Sequence, residues 1–292
     1  MEGVINLYKE PGWTSGDAVN KLKGVLHQRR IGHCGTLDPD AEGVLVICVG
    51  KATKLFDFLT AFPKTYTARI VFGKTTDTQD GSGTVLTESV PGFSIKTLDE
   101  TISSFSGKIR QIPPMYSAIH KNGQRLYELA RKGETVEIEP REVEIYSISR
   151  ISEIENNACS ISVTCSKGTY IRTICHDIGQ MLGCGAYMQH LLRTSAAGRN
   201  VENSKKISEI EEMMKRNDLS FLVDTSDAID YMPVCNIDGA MFKALYNGNP
   251  IDEKYAQLHT DEYVRLYCDN QFFGIGKREN GKYFNKCYLG ER

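Results

Sequence analysis

The run from His33 to Leu45, His-Cys-Gly-Thr-Leu-Asp-Pro-Asp-Ala-Glu-Gly-Val-Leu, most constrains what this chain can fold into. Pro39 disfavours a helix at Asp38 and biases that residue toward extended geometry. Gly35 and Gly43 permit tight turns or the close approach of another backbone. We therefore expect a shaped loop whose one carboxylate, Asp38, points into a cleft. The alternative is an ordinary surface turn, for which Asp-Pro and Gly are the usual residues.

The composition is that of a globular protein with a real core. The chain has 292 residues, 40% of them hydrophobic and 25% charged, which predicts one large domain and one small one. The N-terminal residues lack the pattern of a signal peptide, and no apolar run reaches membrane-spanning length, so we expect a cytoplasmic protein with no membrane partner.

The net charge of −2 argues weakly against a nucleic-acid-binding protein. The charge is unevenly distributed, however, because residues 104–133 contain six basic residues and one acidic residue. Aromatic residues are interleaved with these basic ones, a mixture that suits phosphate contacts combined with base stacking. A solvated, flexible connection is the alternative for this stretch.

The nine cysteines do not form a metal-binding or disulfide pattern, since no C-x-x-C pair occurs and the number is odd. We expect reduced, mostly structural thiols and no metal site. Cys34 beside His33 and Cys175 beside His176 leave a Cys–His enzyme as an alternative. Sequence neighbours rarely face one another, so this alternative is disfavoured.

The spacing of hydrophobic residues predicts the secondary structure of several regions of the chain. Residues 64–73 alternate cleanly as a strand, with Tyr66 on its apolar face, where a core tyrosine is the plain alternative. A helix follows Gly168, and Arg172 lies near its start, off the apolar stripe. A cation is disfavoured there by the helix dipole, so Arg172 implies a specific partner unless it simply faces solvent. Residues 232–292 read as short strands with turns, and thus as a small appended β domain.

Four separated motifs resemble, in order and spacing, those of bacterial tRNA pseudouridine-55 synthases, the TruB family. They are Pro11–Ser15, His33–Leu45, Lys64–Tyr66 with Thr76–Gly81, and Ser166–Arg172. Two further stretches, Pro113–Ala118 and Gln124–Glu128, resemble the mobile thumb segment of that family. Residues 232–292 resemble its PUA-type RNA-binding domain.

The resemblance implies a fold and an activity. The fold is a mixed α/β (α+β) catalytic domain over residues 1–231, with a largely antiparallel sheet and a thumb-like insertion at about 110–145. A small β-barrel-like PUA-type domain follows over residues 232–292. The activity is isomerisation of uridine 55 to pseudouridine in the TΨC loop of tRNA. It needs no cofactor, metal or guide RNA, and the family's habit is to act as a monomer.

The resemblance also implies three catalytic residues. Asp38 matches the catalytic aspartate, which must be ionised whether it attacks a carbon directly or removes a ribose proton on the way to a glycal. Arg172 matches the arginine that pairs with this carboxylate and favours its charged form. Tyr66 matches the tyrosine that stacks on the target base and takes part in proton transfer. We expect Asp38 and Arg172 to lie within about 6 Å of each other, the range of such charge effects.

His33 matches a histidine that fills the space vacated by flipped bases, and a protonated His33 near Asp38 is the alternative. Further substrate contacts are expected from Tyr170, Arg29, Arg30, Lys64, Asp80, Tyr116, Lys121 and Arg125. One rival interpretation is a guide-dependent pseudouridine synthase, which would lack the thumb. The others are a non-catalytic RNA-binding module and a Cys–His hydrolase.

Overall fold

Strands outnumber helices in the described chain, as its short alternating apolar segments predict. The computed structural model describes residues 1–117, 119–121, 123–134 and 136–290, and for His120, Lys121, Arg125, Tyr127 and Arg131 it describes the backbone alone. The strands are β1 (Gly3–Lys9), β2 (Ile31–His33), β3 (Glu42–Val49), β4 (Lys64–Phe72), β5 (Lys74–Thr76), β6 (Val85–Glu88), β7 (Gly107–Gln111), β8 (His120–Lys121), β9 (Gln124–Arg125), β10 (Arg141–Arg150), β11 (Ala158–Cys165), β12 (Ala186–Ala196), β13 (Arg199–Asn200), β14 (Leu222–Val223), β15 (Val234–Ile237), β16 (Ile251–Asp252), β17 (Tyr263–Cys268), β18 (Gln271–Glu279) and β19 (Lys282–Tyr288). The helices are α1 (Ser15–Val25), α2 (Phe56–Thr60), α3 (Ile95–Ser103), α4 (Leu126–Arg131), α5 (Ile171–Met181), α6 (Ile207–Lys215) and α7 (Phe242–Tyr246).

A ten-stranded mixed sheet organises the larger part of the chain. Its main path runs β14-β1-β3-β12-β4-β11-β10-β7, with β2 on β3 and β13 on β12. The neighbours are antiparallel except for β3 and β12, which confirms the prediction of a largely antiparallel sheet. Every second residue of β4 is buried, as its alternation predicts. Helix α1 begins with a capping box between Thr14 and Asp17.

The predicted thumb insertion leaves the sheet after β7 and returns to it at the neighbouring strand, β10. Strands β7 and β10 pair directly, with Gln111 opposite Arg141. Residues 112–140 are therefore an excursion between two neighbouring strands, and they contain the β8–β9 hairpin and helix α4. The first strand after the excursion begins at Arg141, so the excursion lies within the span of about 110–145, whose assignment as a thumb stays a prediction.

The C-terminal residues form a separate five-stranded sheet in the order β15-β17-β18-β19-β16, in line with the predicted small β domain. This sheet docks on the segment that follows β3. Lys51 and Lys54 donate hydrogen bonds to the carbonyls of Gly290 and Tyr288, at 2.9 and 2.8 Å. The two sheets thus share an interface, while the boundary between residues 231 and 232 stays a prediction. Among the described residues, no helix combines the length and the apolar character needed to cross a membrane.

Candidate active site

The segment that precedes helix α1 holds the Asp38 loop in place through its backbone. The Ser15 hydroxyl is buried; it accepts from the Leu37 N–H at 2.9 Å and donates to the Leu37 carbonyl at 3.2 Å. The Gly12 N–H donates to the Pro39 carbonyl at 3.0 Å. These bonds secure the residues on either side of Asp38. The first of the four motifs, Pro11–Ser15, therefore holds the second motif, His33–Leu45, in place.

Lys9, a buried lysine at the end of β1, also binds the backbone of this loop. Lys9 Nζ donates to the carbonyls of Ala41, at 2.6 Å, and Pro39, at 2.9 Å. Burial lowers the pKa of Lys9 to about 8, so the amine is still mostly protonated near neutral pH. Its positive charge lies behind Asp38 and favours the ionised form of that carboxyl.

The two glycines of the motif occupy conformations that other residues avoid. Gly35 has φ +106° and Gly43 has φ +104°. A Cβ on Gly43 would lie 2.3 Å from the carbonyl oxygen of Arg193, on the neighbouring strand β12. Both uses of glycine predicted from the sequence, a turn and a close backbone approach, therefore occur in this loop.

Arg172 connects the Asp38 loop with two other parts of the site. Its Nη2 lies 3.1 Å from Asp38 Oδ2 and donates to the Tyr116 carbonyl at 2.9 Å. Its Nη1 lies 3.4 Å from Asp80 Oδ2. The Arg172 side chain is only 6% exposed, so the solvent-facing alternative is wrong. The expected contact between Asp38 and Arg172 is present.

The pKa of Asp38 lies above the ordinary aspartate range. Burial is the main cause and the Asp80 and Asp40 carboxylates add to it, while the Arg172 guanidinium and Lys9 act in the opposite direction. As expected, the Arg172 guanidinium lowers the pKa of Asp38, but burial has the larger effect and raises it. Because 37% of the Asp38 side chain is exposed, the carboxylate remains within reach of a substrate. A raised pKa also makes the ionised carboxylate a stronger base.

Tyr66 lies on the buried face of β4 and is 7% exposed. Burial raises the pKa of its phenol, while the charge of the Arg193 guanidinium acts against this rise. The hydroxyl therefore keeps its proton near neutral pH. The negative charge of Asp38 also raises the pKa of the Tyr66 phenol, so the charge of Asp38 acts on the Tyr66 hydroxyl.

His33 ends strand β2 immediately before the loop. Burial lowers the pKa of His33, and the Arg193 guanidinium lowers it further. The imidazole is therefore neutral near pH 7, which favours the space-filling role over the alternative of a protonated partner for Asp38.

The start of helix α5 is locked by a glutamine that the sequence analysis did not single out. Gln111 is buried at the end of β7; it accepts from the Tyr170 N–H at 2.8 Å and donates to the Tyr170 carbonyl at 3.0 Å. The Thr173 hydroxyl donates to Gln79 Oε1 at 2.7 Å. These bonds place Arg172 between Gln79 and Gln111, and the guanidinium lies 5.9 Å from the Tyr170 ring centroid.

The structure describes the surroundings of three residues predicted to contact the substrate, Lys64, Arg29 and Arg30. Lys64 is buried and donates to the carbonyls of Thr60 and Phe62, an arrangement that gives it a structural role and does not support a substrate contact. Arg29 and Arg30 are exposed on the surface before β2, where Arg30 Nε donates to the Thr53 hydroxyl at 2.7 Å. The side chains of Lys121 and Arg125 lie outside the described residues.

Four residues that hold the site were missed by the sequence analysis as functional candidates: Lys9, Ser15, Gln111 and Arg193. The available signal was a polar residue in phase with the buried positions of its strand, as Arg193 is with Leu191 in β12. Such a pattern indicates that a polar residue is buried, but it does not indicate which groups that residue binds.

The cysteines do not offer a nucleophile. All nine are buried and free of disulfides, and burial raises the pKa of the Cys175 thiol. Cys34 packs against Cys48, with 3.3 Å between the sulfurs. The Cys–His hydrolase alternative therefore lacks an exposed thiol.

Comparisons with known proteins agree along the whole chain. Residues 23–171 match the model of the TruB family pseudouridylate synthase (N terminal domain). Residues 172–228 match the tRNA pseudouridylate synthase B C-terminal domain, and residues 233–282 match pseudouridine synthase II TruB, C-terminal.

Two solved structures share the fold: those described as a Cbf5-Nop10-Gar1 complex and as an H/ACA RNP bound to a substrate RNA containing 2′-deoxyuridine. Their TM-scores are 0.74 and 0.72, at 24% and 22% identity, and each match covers 99% of this chain and 84% of the other. At this identity the likeness concerns the fold alone.

Curated relatives are much closer in sequence. The tRNA pseudouridine synthase B of Streptococcus thermophilus is 45% identical over 297 residues, which cover 100% of both chains. That of Listeria welshimeri is 43% identical over 284 residues, which cover 95% of this chain and 93% of its relative. The chain therefore belongs to the TruB family of pseudouridine synthases.

Proposed function

We propose that this protein converts uridine 55, in the TΨC loop of tRNA, to pseudouridine without the help of a guide RNA. Its family makes it a tRNA pseudouridine synthase; the position in the tRNA, the aspartate and the flipped base are the proposal. The observation that carries it is the buried Arg172 guanidinium beside the accessible Asp38 carboxylate. Such a pair presents an anion that a substrate can reach beside a buried cation.

Asp38 is the reacting carboxylate. The isomerisation breaks the C1′–N1 bond of uridine, turns the uracil and rejoins it through C5. A carboxylate serves this reaction by attacking a carbon or by removing a ribose proton on the way to a glycal. Both routes start from ionised Asp38, which Arg172 and Lys9 favour. The clamps on Leu37, Pro39 and Ala41 keep the carboxylate oriented.

Tyr66 and His33 receive the flipped nucleotide. Extruding the target base costs a few kcal/mol, and stacking on an aromatic ring recovers about 1–3 kcal/mol per base. In the resting enzyme the Tyr66 phenol is protonated, so it begins as a hydrogen-bond donor in the proposed proton transfer. Neutral His33 fills the volume that flipped bases vacate.

The thumb insertion closes over the T-arm. Its base already touches the site, because the Tyr116 carbonyl accepts from Arg172. Closure would bring the basic residues Lys121 and Arg125 to the RNA backbone, and the exposed Arg29 and Arg30 offer further phosphate contacts. Residues 232–292 act as a PUA-type RNA-binding domain appended to the catalytic domain of residues 1–231.

The proposed site is complete within one chain, which supports a monomer as the active form. A tRNA substrate supports a cytoplasmic location of the activity. The guide-dependent alternative is favoured only by the shared fold, and the thumb excursion between β7 and β10 supports the stand-alone form.

Tritium release from a 5-³H-uridine-labelled tRNA transcript tests this function with no other RNA or protein added. We expect release by the wild-type enzyme, no release from a transcript with cytidine at position 55, and none by Asp38→Asn. The matched control is Asp40→Asn, an exposed acid in the same loop, which should retain release. Release that continues in Asp38→Asn, or that requires an added guide RNA, would contradict the proposal.

A further inference from the structure

Arg193 is one of the most deeply buried charged residues in the described chain. Its side chain is 1% exposed. Its described hydrogen bonds go to backbone carbonyls: Nε to Val44 at 2.6 Å, Nη1 to Thr36 at 3.2 Å and Nη2 to Gly35 at 3.1 Å. A buried cation is unfavourable unless it is hydrogen-bonded. These carbonyls therefore keep the guanidinium in place, and it keeps them in place.

The three carbonyls lie on both sides of Asp38 in the sequence. Gly35 and Thr36 come before the aspartate, and Val44 comes after it. The guanidinium is thus a cross-link between the two ends of the loop. The Arg193 backbone joins the same loop, because it pairs in parallel with Gly43 and would clash with any Cβ there.

Arg193 also lies beside the second proposed catalytic group. On its other side it is the cross-strand partner of Tyr66 in β4, and both side chains are buried. Directly opposite residues of antiparallel strands have Cβ atoms about 4.5–5.5 Å apart, so the guanidinium lies within reach of the Tyr66 side chain. The guanidinium carries its donors on three separate nitrogens in one plane, so it can bind the loop and still reach the Tyr66 side chain; the donors of a lysine ammonium all lie on one atom.

We propose that Arg193 is a positioning residue for the isomerisation, and that its guanidinium fixes the Asp38 loop and the Tyr66 hydroxyl relative to each other. The inference rests on the proposed function, because it assumes that Asp38 and Tyr66 act on the substrate. Arg193→Lys keeps a positive charge but replaces three separate donor nitrogens by one, so it cannot reproduce the geometry of the three bonds to Val44, Thr36 and Gly35. A misplacement of about 1 Å lowers a rate by on the order of 100-fold.

The chain offers a matched control in Arg265, which also binds three carbonyls, those of Met232, Asp230 and Ser226, at 2.9, 3.3 and 3.5 Å. Arg265 lies in β17, in the other sheet. In both Arg193→Lys and Arg265→Lys we would measure the single-turnover rate, the Kd for a T-arm RNA and the thermal midpoint. We expect Arg193→Lys to lose about 100-fold in rate at an unchanged Kd, and Arg265→Lys to lose stability alone.

A tyrosine-specific signal separates positioning from general support of the fold. With ¹³Cζ-labelled tyrosine, the Tyr66 resonance is assigned by its absence in Tyr66→Phe. We expect Arg193→Lys to shift this resonance and Arg265→Lys to leave it unchanged. A wild-type rate in Arg193→Lys, or an unshifted Tyr66 resonance, would overturn the proposal.

One measurement does not depend on how the variants fold. In the wild-type protein the Arg193 Nε–H should exchange slowly with solvent, because it is buried and bonded to the Val44 carbonyl; rapid exchange would overturn the inference. If the wild-type enzyme fails to release tritium from tRNA, the proposed function fails. The NMR signals would still report whether Arg193 holds the loop and Tyr66.

Discussion

Replacing Arg172 by methionine removes the cation nearest to the Asp38 carboxylate. For unit charges 3.1 Å apart, Coulomb's law with an effective dielectric constant of about 20 gives about 5 kcal/mol. Because 37% of the Asp38 side chain is exposed, solvent screens the pair, and we take half of that energy, about 2.5 kcal/mol. This corresponds to a factor of roughly 70 in the protonation equilibrium of Asp38.

The sign of the effect follows from which form reacts. Ionised Asp38 is the proposed active form, so activity is present above the pKa of this carboxyl and is lost as the pH falls through it. Burial already raises that pKa, and loss of the guanidinium raises it further. The acid limb of the pH–rate profile should therefore move to higher pH in Arg172→Met, and the activity lost at neutral pH should partly return in alkaline buffer.

Single-turnover tritium release over the pH range in which the protein stays folded would measure this limb. Arg172→Lys is the matched control, since it keeps the charge but loses the fork that also binds Asp80 and the Tyr116 carbonyl. We expect its acid limb to stay close to that of the wild type while its plateau rate falls. An acid limb in Arg172→Met that coincides with the wild-type limb would refute the electrostatic role of Arg172.

Four further substitutions test the Asp38 loop and the segment that supports it. Ser15→Ala should destabilise the protein by about 1–3 kcal/mol in urea unfolding, because it leaves the buried Leu37 N–H without its partner; a wild-type midpoint would contradict this. Gly12→Ala adds a Cβ in open space at φ +85° and should cost about 1–2 kcal/mol. Gly43→Ala should cost more, since its Cβ meets a carbonyl oxygen at 2.3 Å, and equal costs would show that the clash is relieved. Asp38→Asn should raise the thermal midpoint at neutral pH. Because the pKa of Asp38 is raised in the folded protein, binding of a proton to Asp38 stabilises the fold. This stabilisation is complete below the ordinary aspartate pKa of about 3.9 and is lost as the pH rises through the pKa of the folded state. The advantage of Asp38→Asn should therefore disappear in acid, and a lower midpoint at neutral pH would contradict the reasoning.

Local chemistry made several features predictable from the sequence. Proline and glycine restrict the backbone within a few residues, so the shape of the Asp38 loop followed from Gly35, Pro39 and Gly43. Alternation identified β4 and the buried side of Tyr66. The helix dipole argument indicated that Arg172 needs a partner. Each of these inferences depends on neighbours close in the chain.

By itself, therefore, the sequence determined the elements, the loop that presents Asp38 and the family. Tertiary structure alone decided which distant groups complete the site. Arg193 binds the Gly35 carbonyl across 158 positions of sequence, and Gln111 holds Tyr170 across 59. Packing also decided the partners of Lys64, whose amine donates to a carbonyl inside the protein. The physical reason is that burial and hydrogen bonding depend on how strands pack against one another, whereas backbone preferences are set by each residue and its neighbours.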